Sequence, residues 1–159
     1  MEYANLDPVV GIVLNFTGSG CCSQMIALRV GEGIVNIVID SETEVIDCRQ
    51  LRPGMRVAAF YDKTLPVPMI FPPQYRAVII AVLGKNEQIA LKYFDSDLIA
   101  EDRSLQLNQA RSTEIETING QNFFCDIGNR TLLVYYTVTT RSIPPQTTPR
   151  KIVVLCSKE

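Results

Sequence analysis

The chain has 159 residues, 47% of them hydrophobic and 20% charged, with a net charge of −2 and no histidine. That composition supports a packed core and excludes long disordered tracts, while the small negative charge disfavours general nucleic-acid binding, which rests on neutralising phosphates. Without histidine there is no Ser-His-Asp or Cys-His centre and no imidazole for a metal, so neither an enzyme nor a cofactor is expected. Apolar runs such as 77–83 are too short to cross a bilayer, and the start of the chain lacks a basic and apolar leader, so a soluble, cytoplasmic protein is expected.

Strand signals run from end to end. Val9 to Phe16 is a nearly unbroken apolar run, as in a strand buried on both faces or bent across a barrel. Gln24 to Val30 alternates with Ile26, Leu28 and Val30 on one face. After Gly31-Glu32-Gly33 the alternation resumes at Val35, Ile37 and Ile39, which predicts a hairpin. Residues 41–50 are too short and β-branched for a regular helix; a short strand through Glu44-Val45-Ile46 or a single helical turn fits. Pro53-Gly54 has the chemistry of a type II turn ahead of a strand over Arg56 to Asp62, and Arg76 to Leu83 completes the first half. Gly84-Lys85-Asn86-Glu87 reads as a hinge, followed by strands at Ile89 to Phe94, Ser104 to Asn108, Thr131 to Val138 and Lys151 to Cys156. Asn119-Gly120 favours a type I′ hairpin turn.

Two stretches of the chain echo each other. Val57-Ala58-Ala59-Phe60-Tyr61-Asp62 leads to Pro72-Pro73-Gln74, and Leu132-Leu133-Val134-Tyr135-Tyr136-Thr137 leads to Pro144-Pro145-Gln146; an apolar strand follows each. Thr113-Glu114-Ile115 likewise echoes Thr43-Glu44-Val45, and the longer spacing that follows it places a hairpin insertion in the second copy. Order-preserving similarity of this kind predicts an internal duplication. The expected fold is all-β, with two tandem small OB-like barrels packed together: residues 1–84, and residues 85–159 carrying the insertion. Within the aromatic strands, Val57, Ala59 and Tyr61 share one face, matched by Leu132, Val134 and Tyr136, and this is the better core face. Phe60 and Tyr135 point the opposite way, for packing or for stacking on a ligand.

Five cysteines, an odd number with no CxxC spacing, argue against both a disulfide framework and a zinc site. Cys48, Cys125 and Cys156 lie beside apolar residues and are expected to be buried; Cys21-Cys22, after Gly18-Ser19-Gly20, would sit in a loop as the one candidate thiol site. The carboxylates Asp95, Asp97, Glu101 and Asp102 lack the spacing of a calcium loop and read as a polar turn. The stretch 65–73, with four prolines and no charge, is either a rigid cover over a barrel end or an inter-unit contact, the favoured alternative, or else a recognition surface.

The proline phrases carry a resemblance. Gly54 to Asp62 with Pro66-Val67-Pro68 and Pro72 to Ala77, together with Asn129 to Tyr136 and Thr140 to Pro149, resembles a family of small uncharacterised proteins of Gram-positive anaerobes. Similar segments accompany repeats named for the copper amine oxidase N-terminal region. The resemblance implies no copper chemistry for a chain without histidine, and no activity.

The expected function is a non-catalytic binding module for a protein, peptide or small ligand, with Tyr61, Tyr75, Arg76, Tyr136 and Arg141 as candidate contacts. The expected partners are another protein or further copies of this chain, and no membrane. Self-assembly as a structural protein is the alternative, as is single-stranded nucleic acid on an OB-like face of aromatic and basic residues.

Overall fold

A computed structural model describes residues 3–17 and 21–156. Its regular structure is all β. The chain divides into two compact units, Asn5–Gly84 and a second that comprises Lys85–Glu159 with Met1–Ala4; they are called here the N-terminal and C-terminal units. No helix among the described residues is long and apolar enough to cross a membrane.

The N-terminal unit holds β1 (Leu6–Thr17), β2 (Gln24–Val30), β3 (Gly33–Ile39), β4 (Glu44–Val45), β5 (Arg56–Asp62), β6 (Gln74–Arg76) and β7 (Ile79–Leu83) in one sheet of order β4-β7-β5-β1-β2-β3-β6. Alternation produces the β2–β3 hairpin, which turns at Gly31, where φ is +59°. Gly54 takes φ +92° and the Met55 N–H donates to Arg52 O at 3.2 Å, the type II turn that Pro-Gly chemistry predicts. Of the alternatives for residues 41–50 the short strand occurs, as β4; Ile46–Cys48 then form a tight turn with positive φ at Asp47 and Cys48 rather than a regular helical turn.

β1 is not buried on both faces. Its register against β2 shifts between Val13 and Asn15, so Leu14 sits in a bulge and the strand's last residues are exposed. Gly11 permits close approach at this bend, since a Cβ there would stand 2.6 Å from Arg29 O.

The C-terminal unit holds β8 (Gln88–Phe94), β9 (Gln106–Leu107), β10 (Glu114–Thr117), β11 (Arg130–Tyr136), β12 (Gln146–Thr147) and β13 (Lys151–Leu155). β10-β13-β11-β8 form one sheet, and β12-β9 form a two-stranded one. In strand order each sheet has two ends, so pairing of the named strands does not close a barrel.

The two units match down to single hydrogen bonds. Ala59 pairs with Ile80 and Val9, as Val134 pairs with Ile152 and Ala90. β4 runs parallel to β7 as β10 does to β13, and β3 runs parallel to β6 as β9 does to β12. The Val78 N–H donates to Phe60 O at 2.7 Å and the Arg150 N–H to Tyr135 O at 2.9 Å. The Thr43 hydroxyl donates to Ala77 O at 2.8 Å, and that of Thr113 to Pro149 O at 2.7 Å. Both X–Pro bonds that open the Pro-Pro-Gln phrases, Phe71-Pro72 and Ile143-Pro144, are cis.

Each unit has its own core. Val57 and Ala59 join Val13, Ile26, Leu28, Ile37 and Ile80; Leu132 and Val134 join Ala90, Phe94, Ile152 and Val154. This is the core face that strand periodicity predicts. Phe60 and Tyr135, on the other face, are buried as well.

Two expectations need correction. Cys48, Cys125 and Cys156 are all exposed: the buried residue beside Cys48 is Ile46, Cys125 lies in the loop before β11, and Cys156 follows the end of β13. At the Asn119-Gly120 turn only Gly120 has positive φ (+83°), and its N–H donates to Thr117 O at 3.0 Å. With Thr117 N–H donating to Gln121 O at 2.7 Å, this is a turn with a bulged glycine rather than type I′; the Thr117 and Asn119 side chains bond at 2.5 Å. Gly18 to Gly20, expected in a loop, lie outside the described residues.

The matched threonines supply a test of the correspondence between the units. Thr113→Val leaves the Pro149 carbonyl without its hydroxyl donor and is expected to cost about 1–2 kcal/mol. Thr43→Val, in a half-buried setting, costs less, and the double variant is additive because the sites belong to separate cores. Chemical denaturation of the four proteins measures both expectations.

Candidate functional site

The structure places three of the five candidate residues in the N-terminal unit and brings two of them, Tyr61 and Tyr75, into contact. Tyr61 ends β5, and Tyr75 and Arg76 lie on β6, which runs parallel to β3 with Tyr75 opposite Ile37. The Tyr61 and Tyr75 rings stand 4.2 Å apart between centroids, tilted by 31°. Both are half-buried, and Tyr75 packs against the core. Burial raises the Tyr61 phenol above its ordinary value, and the neighbouring Tyr75 and Asp7 add to the shift.

Arg76 is exposed but engaged. Its Nε lies 2.6 Å from Asp40 Oδ2 and its Nη2 3.2 Å from Glu42 Oε2. Asp40 Oδ1 accepts the Glu42 backbone N–H at 2.9 Å. That backbone bond, followed by Arg76 and Thr43, holds the Asp40 carboxyl below its usual value. The guanidinium therefore serves to fix the turn after β3, and an incoming anion would have to compete with two carboxylates.

Tyr136 and Arg141 belong to the C-terminal unit. Tyr136 packs against that core at the end of β11, the position that corresponds to Tyr61. Thr147 stands where the first copy has Tyr75, so the tyrosine pair belongs to the first copy alone. Arg141 is exposed in the loop between β11 and β12.

The carboxylate-rich segment is a set of turns. Asp95 Oδ1 accepts the N–H groups of Asp97 and Ile99 at 2.9 and 3.0 Å. Asp102 accepts from Lys92 Nζ at 2.7 Å and from Ser104, and these bonds pull its carboxyl down to about 2. Among the described residues no group of three or more Cys, Asp or Glu is placed to hold a metal ion. Cys21 and Cys22 are both exposed as free thiols.

The three most exposed large apolar residues among those described, Met69, Ile143 and Phe71, lie on the proline loops; Phe124, before β11, comes next. Leu65, Val67, Met69, Ile70 and Phe71 all face solvent in the first copy; Phe71 is 93% exposed. In the second copy Ile143, at the position matching Phe71, is 97% exposed, and Val138 is also exposed. Residues 65–71 are all exposed, so this segment is not packed down as a cover. Its charge-free composition is visible in the sequence, but the direction in which it points depends on anchors outside it.

Two further features escaped the reading of the sequence. One is a cleft of about 580 Å³ in the N-terminal unit, lined by Phe16, Thr17, Gln24, Ile39, Val45, Arg49, Gln50 and Leu51. Its residues come from five separate segments with no common motif. The other is the Arg150–Glu87 pair, with guanidinium bonds of 2.7 and 3.1 Å and the guanidinium 5.0 Å above the Tyr135 ring.

No protein-family model matches this chain. No curated protein matches it either.

The tyrosine pair has a spectroscopic signature. In an ultraviolet pH titration Tyr61, assigned with Tyr61→Phe, is expected to ionise above the ordinary value of 10.0. Tyr75→Phe removes the neighbouring phenolate and lowers the Tyr61 midpoint part of the way, because burial remains. A raised phenol contributes stability that is present below the unfolded value and lost as pH rises through the folded one, so alkaline unfolding is expected to track Tyr61 ionisation.

Proposed function

We propose that this chain is a non-catalytic binding protein, built from two OB-like barrels, that engages a protein partner through the proline-framed loop Leu65–Phe71. The carrying observation is that a nine-residue stretch with four prolines and no charge presents Met69, Ile70 and Phe71 to solvent. Contiguous exposed apolar residues mark interaction sites, and prolines restrict the loop before it binds, which lowers the ordering cost.

The barrel reading is supported by the segment 74–83. The Asn36 N–H donates to Pro73 O and the Ala77 N–H to Val38 O, whereas the Val78 N–H donates to Phe60 O. One segment thus bonds to β3 and then to β5, the way in which the fifth strand of an OB-type barrel joins its third and fourth. In such barrels the connection between the fourth and fifth strands carries ligand contacts, and here that connection is the proline loop. Burying Met69, Ile70 and Phe71 is worth about 1.5–3 kcal/mol each before the costs of association. The complex therefore belongs to the transient class. Nucleic acid is the weaker reading, because Arg76 is held by Asp40 and Glu42 and the tyrosines face each other.

Self-assembly is the second reading, favoured by the repetition of the exposed apolar position at Ile143. A photoreactive residue at Met69, compared with one at Glu32 on the β2–β3 turn, tests both. A discrete heterologous adduct formed from Met69 only, and lost on Phe71→Ser, is expected. An adduct with a second copy, together with concentration-dependent sedimentation, favours assembly; equal labelling from both positions overturns the recognition role of the loop.

A further inference from the structure

The two copies differ at one end of the unit. In the C-terminal copy the inserted hairpin, where Glu116 bridges to Asn122, carries Phe123 back onto the core. The Phe123 N–H donates to Ile115 O at 3.2 Å, and the Arg130 guanidinium lies 5.0 Å over the Phe123 ring. Ile115 pairs with Ile152 as Val45 pairs with Ile80, so Ile115 and Val45 are corresponding positions. The N-terminal copy has no such hairpin, and there Val45 lines the open cleft. What the chain fills with its own aromatic ring in one copy, it leaves accessible in the other.

The lining of that cleft defines what fits. Ile39, Val45 and Leu51 supply an apolar wall, and Phe16, 42% exposed, offers an aromatic surface. Thr17, Gln24 and Gln50 add neutral polar groups. Thr17 donates its hydroxyl to Met25 O at 3.3 Å and keeps acceptor capacity; Gln50 Oε1 accepts from Arg52 at 3.4 Å, which leaves its amide donors available. Arg49 is the one cation in the lining, no acid lines the cleft, and Arg49 has no ion-pair partner among the described residues. A cleft of about 580 Å³ lies within the usual range for small-molecule sites. One guanidinium matches one carboxylate, bidentate and charge-assisted, whereas a nucleotide brings several negative charges.

We propose that this cleft is a binding site for a small aromatic monocarboxylate, whose ring takes the place that Phe123 fills in the C-terminal unit and whose carboxylate pairs with Arg49. The site is separate from the proline loop, so failure of either reading leaves the other standing.

Amide spectra of the isotopically labelled full chain, titrated with phenylacetate, test the proposal. Shifts centred on Thr17, Gln24, Val45 and Arg49 to Leu51 are expected at millimolar concentrations. Arg49→Gln, at an exposed position where folding is retained, weakens binding about tenfold, the worth of one charge-assisted hydrogen bond. Phenethylamine, with the same ring and the opposite charge, leaves these amides unmoved, and inorganic phosphate binds more weakly than phenylacetate. Absence of shifts at about 10 mM phenylacetate, equal binding by the Arg49→Gln protein, or equal response to phenethylamine or phosphate would each overturn the proposal.

Discussion

The hydrogen bonding of one short segment in each unit holds this architecture together. In the N-terminal unit the run from Pro73 to Leu83 serves β3 first and β5 next, and changes partner between Ala77 and Val78. In the C-terminal unit Pro145 O accepts from Gln106 N–H, and the Arg150 N–H donates to Tyr135 O. A buried backbone donor or acceptor without a partner is costly, so a segment that satisfies two edges removes two liabilities at once. The conserved geometry of the threonine bonds, Thr43 to Ala77 and Thr113 to Pro149, places β4 and β10 beside the same segments. The proline pairs precede these segments because residues without N–H groups cannot continue a ladder, and so the chain leaves the sheet there. An exposed loop and a satisfied sheet edge are two consequences of one local constraint.

Around this shared frame the two units differ. The first carries the longer and more apolar proline loop, the Tyr61–Tyr75 pair, and Arg76 tied to Asp40 and Glu42. The second carries a shorter loop and the hairpin that brings Phe123 onto its core. It also carries charge inside: Lys151 stands where the first copy has Ile79, almost fully buried, with Glu116 Oε2 at 2.9 Å. A lysine can stay charged at such a position only with a carboxylate beside it. This pair makes the C-terminal core less tolerant of substitution at Glu116 than any apolar counterpart would be.

Much of the fold was legible, because its signals are local. Alternation at Ile26, Leu28 and Val30, the glycine of the Pro53-Gly54 turn, and the matched faces of Val57, Ala59, Leu132 and Val134 each follow from a short-range rule. The misread positions depended on backbone conformation and strand register, which residue type alone does not fix. Cys48 looks apolar by its neighbour Ile46, yet left-handed backbone at Asp47 and Cys48 turns the chain outward. Asn119-Gly120 suggested a tight type I′ turn, but the strand register made Gly120 a bulge. Phe16 ends a nearly unbroken apolar run that carries little facial information; it lies beyond the register shift at Leu14, where the strand is exposed. Of the candidate contacts, Tyr61 and Tyr75 meet because β5 and β6 are both ordered by β7's segment, whereas Tyr136 and Arg141 lie in the other unit.

The central claim is that each closing segment is locked into its unit while the proline loop before it stays open to solvent. Amide hydrogen exchange of the intact protein addresses this most directly, since both states occur within a few residues of each other. The account predicts slow exchange at Ala77, Val78 and Arg150, on a par with the core strands, and near-free exchange at Val67, Met69, Ile70 and Phe71, with the boundary at Pro72-Pro73. Protection of the loop amides to the level of Val78, in dilute protein without any partner, would contradict it.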